Sequence, residues 1–150
     1  MKPKYIILHH SMTKDQKVVD WQAIRRYHIN VKLWDDIGYH FGIENVKRDE
    51  RLHDEYEILM GRMPYTEGAH CSSNGYNHKS IGICFIGNFD TCDVPDGQWK
   101  AGLKIVRYLC LSSEISINKV IGHREAAMDG RTCPGRNFDL EKFRNDLAEA

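Results

Sequence analysis

The sequence predicts a single α/β domain built on a central mixed β-sheet flanked by helices, and three observations predict it. Short apolar runs of strand length alternate along the chain with longer stretches of helical periodicity. The 150 residues are 41% apolar, enough to bury one core without disulfides or a structural metal. No internal repeat, low-complexity tract or long charge block interrupts the pattern, so disorder is expected at most at the ends.

Each element has its own justification. Lys4 to His10 is apolar and then polar, a buried strand that runs out on two histidines. Asp20 to Val31 is a helix, with Trp21, Ile24, Tyr27, His28 and Val31 at helical spacing and Arg25, Arg26 and Lys32 outside the stripe. Ile37 to Val46 is a strand candidate rich in aromatic and branched residues. Lys47 to Glu57 is strongly charged and reads as a solvated turn between strand ends. Thr66 to Lys79 is rich in Gly and Asn, hence a loop. Ser80 to Gly87 (SIGICFIG) is the clearest buried strand. Asp96 to Ser113 is a helix presenting Trp99, Leu103, Val106, Leu109 and Cys110 on one face. Lys119 to Gly122 is a short strand, and Asp139 to Ala148 a last helix. Trp21, Trp34 and Trp99 read as core or helix-packing residues.

Charge and cysteine usage narrow the function. Twenty-one basic residues balance 21 acidic ones, which argues against a general polyanion binder and hence against nucleic acid. Only four consecutive apolar residues, Tyr5 to Leu8, follow the N-terminus. A secretory h-region needs roughly 7–15, and no run approaches membrane-spanning length. We therefore expect synthesis in the cytoplasm without a signal peptide, and no membrane association. The five cysteines are odd in number, which suits a reducing compartment.

The residues with most chemical promise lie near strand ends. His123, in Gly122-His123-Arg124-Glu125, and Cys133, in Cys133-Pro134-Gly135, stand ten residues apart at the two ends of a polar loop. Spacing of ten is not a metal signature, and such a pair is ordinarily a surface histidine and an unrelated buried thiol. Pro134-Gly135 fixes a turn just after the thiol. His9 and His10 end the first strand, and neighbours on a strand point to opposite faces, so only one can join the same site. Periodicity does not choose between them. Two histidines and one cysteine would give three protein ligands for zinc with the fourth position open, as in a catalytic site. Tyr39 sits in a strand candidate, ordinarily a core or interface position. His70 and His78 flank a Gly/Asn-rich loop and read as exposed.

Taken in order, the segments ILHHS, an amphipathic helix, DIGYHF, GR, GAH, GYNHKSIGICFIGNFD, VIGHRE and CPGRNFDL form a set. That set resembles the zinc-dependent N-acetylmuramoyl-L-alanine amidases of the type 2 family, particularly small phage lysozyme-amidases. Peptidoglycan-recognition proteins share their fold. The resemblance runs from about Tyr5 to Leu140. It implies one zinc ion held by His9, His123 and Cys133. It implies that Tyr39 contacts the water or the reacting carbonyl at the metal. Arg131 falls where phage amidases carry a catalytic lysine, and His70 falls on the loop beside the substrate groove.

The implied reaction is hydrolysis of the amide between the lactyl group of N-acetylmuramic acid and L-alanine, on peptidoglycan or muropeptides. The chain would then be one catalytic domain over residues 1–150, with no separate wall-binding domain, acting as a monomer. Two departures from the phage pattern stand out. Arg131 replaces lysine and is always protonated, so it can stabilise an oxyanion but cannot shuttle a proton. The His123–Cys133 loop is about two residues longer than in the phage enzymes, through Met128-Asp129-Gly130, and a further insertion falls within about Lys47 to Tyr65.

The rival readings are a peptidoglycan-binding module without catalysis and a cysteine hydrolase using Cys133 and His123. Recognition-only relatives typically lose the cysteine that this chain keeps. A nucleophilic cysteine needs an activating base and usually an orienting third group, which nothing here supplies better than the zinc reading. As to setting, a phage or prophage endolysin fits, and a cytosolic muropeptide-recycling amidase is the alternative. A protein-partner role has no readable motif.

Overall fold

The computed structural model describes residues 1–13, 19–46 and 55–149. Its five-stranded sheet comprises β1 (Tyr5–His10), β2 (Phe41–Asn45), β3 (Tyr56–Met60), β4 (Ser80–Phe85) and β5 (Val120–Gly122), in the order β3-β2-β4-β1-β5. The β2–β4, β4–β1 and β1–β5 pairs are parallel and β2–β3 is antiparallel. The expected mixed α/β sheet is therefore present.

Parallel strands are covered on both faces, and alternation sorts their side chains. Ile6 and Leu8 of β1, with Ile81, Ile83 and Phe85 of β4, enter the main core. They pack there against Val106 and Leu109 of α2 (Asp96–Ser112) and Phe143 and Leu147 of α4 (Leu140–Ala148). Cys84 and Ile86 join a second cluster with Trp21 and Ile24 of α1 (Trp21–Asn30). Ile7 belongs to a third, with Cys71 and Ala126. His9 follows Ile7 onto that face by the same two-residue period.

The helices form where periodicity puts them, with shifted faces. Asp20 caps α1 by accepting from the Ala23 N–H at 2.7 Å, and Asp139 caps α4 through Lys142 N–H at 2.8 Å. Only Trp21 and Ile24 of α1 are buried. Tyr27 and Val31, expected on the apolar stripe, are 49% and 62% exposed, and Val31 is the C-cap beyond the last helical residue. On α2 the buried face runs through Gln98, Gly102, Ile105, Val106 and Leu109. Trp99 is half-buried and donates its indole N–H to Asp146 at 2.8 Å.

Three elements depart from expectation. The strand predicted over Ile37 to Val46 begins at Phe41, because Ile37 and Tyr39 give their carbonyls to Arg62 rather than to a neighbouring strand. The loop over Thr66 to Lys79 contains a 3-10 segment, Ser73–His78, broken where Asn74 and Gly75 take left-handed φ of 50° and 69°. A five-residue helix, α3 (His123–Ala127), follows β5 directly. The charged stretch over Lys47 to Glu57 ends in β3, and its residues 47–54 lie outside the described residues, as does part of the proposed insertion. Among the described residues no helix is long and apolar enough to cross a membrane.

Candidate metal centre

Parallel pairing brings the first two site residues together. Leu8 of β1 is in register with Gly122 of β5, so His9 and His123 leave adjacent parallel strands side by side. The carboxyl ends of parallel strands are where α/β folds place ligands. Their ring centroids are 4.5 Å apart. His10 points to the other face, where its Nδ1 accepts the Phe89 N–H at 3.1 Å. The alternation thus assigns His9 to the site and His10 to packing.

Cys133 arrives by a longer route, and Arg124 brings it back. The Arg124 guanidinium donates to the carbonyls of Thr132, Gly135 and Phe138 at 3.2, 2.6 and 2.9 Å, and its backbone N–H donates to the Cys133 carbonyl at 2.7 Å. Asp90 anchors the same loop through the Thr132 hydroxyl and the Arg136 N–H, each at 2.9 Å. The Cys133–Pro134 peptide is cis.

The donor atoms of His9, His123 and Cys133 all lie within 4.8 Å of one another. His9 Nδ1 is 3.7 Å from Cys133 Sγ. Two ligands at the usual Zn–N and Zn–S lengths and a tetrahedral angle stand about 3.6 Å apart. The donor set and its spacing therefore fit the metal that the resemblance implies.

Burial sets the protonation of these groups. It holds His9 well below the usual imidazole value, with His70, His123, His10 and Arg131 adding to the effect. It lowers His123 to about 4, helped by Arg131 and opposed by Asp129. It pushes the Cys133 thiol up to about 12. The histidines are thus already neutral at pH 7, ready to ligate, while the thiol must lose its proton as a metal enters.

Tyr39 stands beside the cluster, its ring 5.2 Å from that of His9. Its hydroxyl is raised well above the usual phenol value, by burial first and then by Cys84 and Cys133. It therefore stays protonated; here it is hydrogen-bonded to Cys84, a contact it must exchange to donate to a substrate oxygen. Arg131 donates to His123 Nε2 at 2.7 Å and is itself gripped by Asp129, with Nε to Oδ1 at 2.8 Å. That contact uses a lone pair on Nε2. A metal on Nε2 would need the same lone pair, and a metal on Nδ1 would leave Nε2 carrying the proton. Either way Arg131 must swing off His123 when a metal binds.

His70 is not exposed. It is 8% exposed and lies behind His9, with its Nδ1 2.9 Å from His9 Nε2. Burial lowers it to about 3, with His40 adding to the effect and the Ser80 carbonyl opposing it. His78, by contrast, is exposed and pairs with Glu67 at 3.0 Å. Two clefts flank the cluster. One, of about 550 Å³, is lined by His123, Arg131 and Cys133. The other, of about 360 Å³, is lined by Ser11, Tyr27, His28 and Tyr39.

The profile of the N-acetylmuramoyl-L-alanine amidase family matches residues 1–136. The chain belongs to that family. It is 32% identical over 147 residues to the endolysin of Escherichia phage T7, covering 95% of this chain and 87% of that one. It is 36% identical over 131 residues to peptidoglycan-recognition protein 2 of Holotrichia diomphalia, covering 83% of this chain and 64% of that one. Among solved structures, the amidase LysC from Clostridium intestinale URNW superposes with a TM-score of 0.79 at 26% identity, over 98% of this chain and 86% of its own. The amidase family thus includes both lytic enzymes and recognition proteins among this chain's relatives. Sequence reasoning missed Arg124 and Asp90, the residues that hold the cysteine loop; the Arg in GHRE was the available signal.

Proposed function

We propose that this protein is a zinc-dependent N-acetylmuramoyl-L-alanine amidase that cleaves the bond between the lactyl group of N-acetylmuramic acid and L-alanine. The observation that carries the reading is the convergence of His9, His123 and Cys133 beside the Tyr39 hydroxyl, at the junction of two open clefts. Bound there, zinc would supply a water acidified toward pH 7 and a Lewis acid for the scissile carbonyl. Tyr39, held protonated, donates a hydrogen bond to the oxygen that gains charge as the amide carbonyl becomes tetrahedral. Arg131, once off His123, adds positive charge to the same oxygen. The flanking clefts take the glycan on one side and the stem peptide on the other.

The binding-only alternative is disfavoured by the presence of Cys133 and Tyr39. The thiol-hydrolase alternative is disfavoured by the electrostatics: a nucleophilic pair needs thiolate and imidazolium, whereas burial drives Cys133 up to about 12 and His123 down to about 4. The similarity to phage endolysins supports a lytic role for a protein made in the cytoplasm and acting on the wall.

Purified protein incubated with peptidoglycan should release stem peptides with a free L-alanine amine. It should lose this activity to a chelator and regain it with zinc. Full activity after metal removal would overturn the metal reading, and metal-loaded protein that binds wall without releasing peptide would overturn the enzyme reading. Soluble muropeptides in parallel distinguish a recycling role.

A further inference from the structure

Behind the metal cluster lies a row of buried imidazoles. The ring centroids run His123 to His9 at 4.5 Å, His9 to His70 at 5.0 Å and His70 to His40 at 5.5 Å. His40 is the far anchor: its Nδ1 accepts the Gly82 N–H and its Nε2 lies 2.9 Å from the Thr66 carbonyl. The slot that admits His70 is cut by two glycines. A Cβ on Gly82 would stand 2.4 Å from the His70 ring, and one on Gly68 would stand 2.5 Å from it. Asn77 fixes the backbone on the same loop, its Oδ1 accepting the N–H groups of His70 and Cys71 at 2.9 and 2.8 Å.

The proton positions along this row follow from the partners. Ser80 Oγ donates to the Tyr76 carbonyl at 2.6 Å, so it has no proton left for His70. Among the described residues His70 Nε2 faces acceptors alone, the Ser80 carbonyl at 3.5 Å and Ser80 Oγ at 3.4 Å, and therefore carries the hydrogen. A neutral imidazole has one N–H, so His70 Nδ1 presents a lone pair to His9 Nε2, 2.9 Å away. His9 Nε2 is then the donor. Its Nδ1 is left bare, and that is the atom 3.7 Å from Cys133 Sγ.

We infer that His70 is a positioning residue for the metal centre: through Ser80 it fixes His9 as the Nε2–H tautomer and aims the Nδ1 lone pair at the metal. The inference rests on the zinc reading proposed above. It adds to the expectation that His70 lies beside the substrate groove, because the residue is buried and its ring nitrogens face His9 and Ser80. Metal-ligating histidines commonly donate their second ring N–H to an acceptor that sets tautomer and orientation, and losing that acceptor costs about 10–100-fold in metal affinity. Here the acceptor is another imidazole, made a pure acceptor at Nδ1 by a serine whose own proton is committed elsewhere.

Two measurements test this. In metal-free wild type labelled with ¹⁵N-histidine, NMR should show His9 as the Nε2–H tautomer, with a nitrogen–nitrogen coupling across the hydrogen bond to His70 Nδ1. A His9 that carries its proton on Nδ1, or the absence of that coupling, overturns the inference without any variant. Chelator competition should then show zinc binding about 10–100-fold weaker in His70→Ala. His70→Asn, whose amide oxygen can take the place of Nδ1, should fall within a few-fold of wild type. Equal zinc affinity in wild type and a folded His70→Ala overturns the inference while leaving the metal site standing. Wild type that takes up no zinc overturns the metal reading instead, and the NMR result still decides the His9–His70 bond. A merely structural role for His70 would lower the melting temperature of both variants alike and leave the His9 tautomer unmoved.

Discussion

Replacing His70 should change how stability depends on pH, by an amount the structure sets. The imidazole is buried and lowered to about 3, against about 6.5 in an unfolded chain. The folded value is depressed, so below pH 6.5 the unfolded state takes up a proton that the folded state refuses. Stability is therefore fully present above pH 6.5 and is lost as pH falls from there toward 3. At 1.36 kcal/mol per unit, the loss between pH 7 and pH 5 from this one group is about 2 kcal/mol. The structural reason is specific. A proton entering His70 would go to Nδ1, directly against the N–H of His9.

The assay is urea unfolding of chelator-treated protein at pH 7 and pH 5, for wild type and His70→Asn. Wild type should lose about 2 kcal/mol more than the variant across that interval. His9, held down chiefly by burial and next by His70, contributes to both proteins with the same sign, so the difference between them reports His70 together with its effect on His9. Parallel losses in the two proteins would refute the argument, because they would mean that His70 protonates freely in the folded state.

Other outcomes follow from the same geometry. Zinc affinity should rise about tenfold per pH unit between pH 5.5 and 6.5, one proton being displaced from the Cys133 thiol while the depressed histidines displace none; chelator competition across that range would expose titrating histidines as a slope well above one. Tyr39→Phe should keep stoichiometric zinc and lose about 10²–10³ in kcat, the usual cost of a missing oxyanion donor; release of stem peptide beside metal content checks both. Arg131→Ala should bind zinc about fivefold more tightly, since a hydrogen bond worth about 1 kcal/mol no longer competes at His123. The same variant should hydrolyse amide more slowly, and unchanged affinity would mean that the guanidinium leaves His123 at no cost.

The sheet was legible because parallel strands buried on both faces write continuous apolar runs, and Ser80 to Gly87 and Lys4 to His10 are of that kind. β3 was obscured by the charged stretch before it: Tyr56, Glu57, Ile58 and Leu59 are all only half-buried. The helix α3 is five residues long, too short for a periodic signal. His9, His123, Cys133 and Tyr39 were reached through resemblance to a family rather than through spacing. The reason is physical: they sit on four separate pieces of chain and are held by strand register, by the Arg124 and Asp90 contacts to the cysteine loop and by the Arg62 N–H on the Tyr39 carbonyl.

His70 marks the boundary of what one sequence can convey. A histidine in a Gly/Asn-rich loop is ordinarily solvated, and nothing local distinguishes this one. What decides its place is Gly82, a strand residue in register with Ile7, and Gly68, a loop residue; together they leave a space the width of an imidazole. A glycine in a strand interior costs backbone entropy and forfeits side-chain packing, and it often marks where another group approaches closely. In this chain the approaching group is the ring that hydrogen-bonds His9, the first of the proposed metal ligands. The glycine of Ser80-Ile81-Gly82-Ile83-Cys84 is thus tied to the chemistry two residues deep. Gly82 admits His70, His70 faces His9, and a methyl group at Gly82 would meet the His70 ring and so disturb the proposed metal centre from behind.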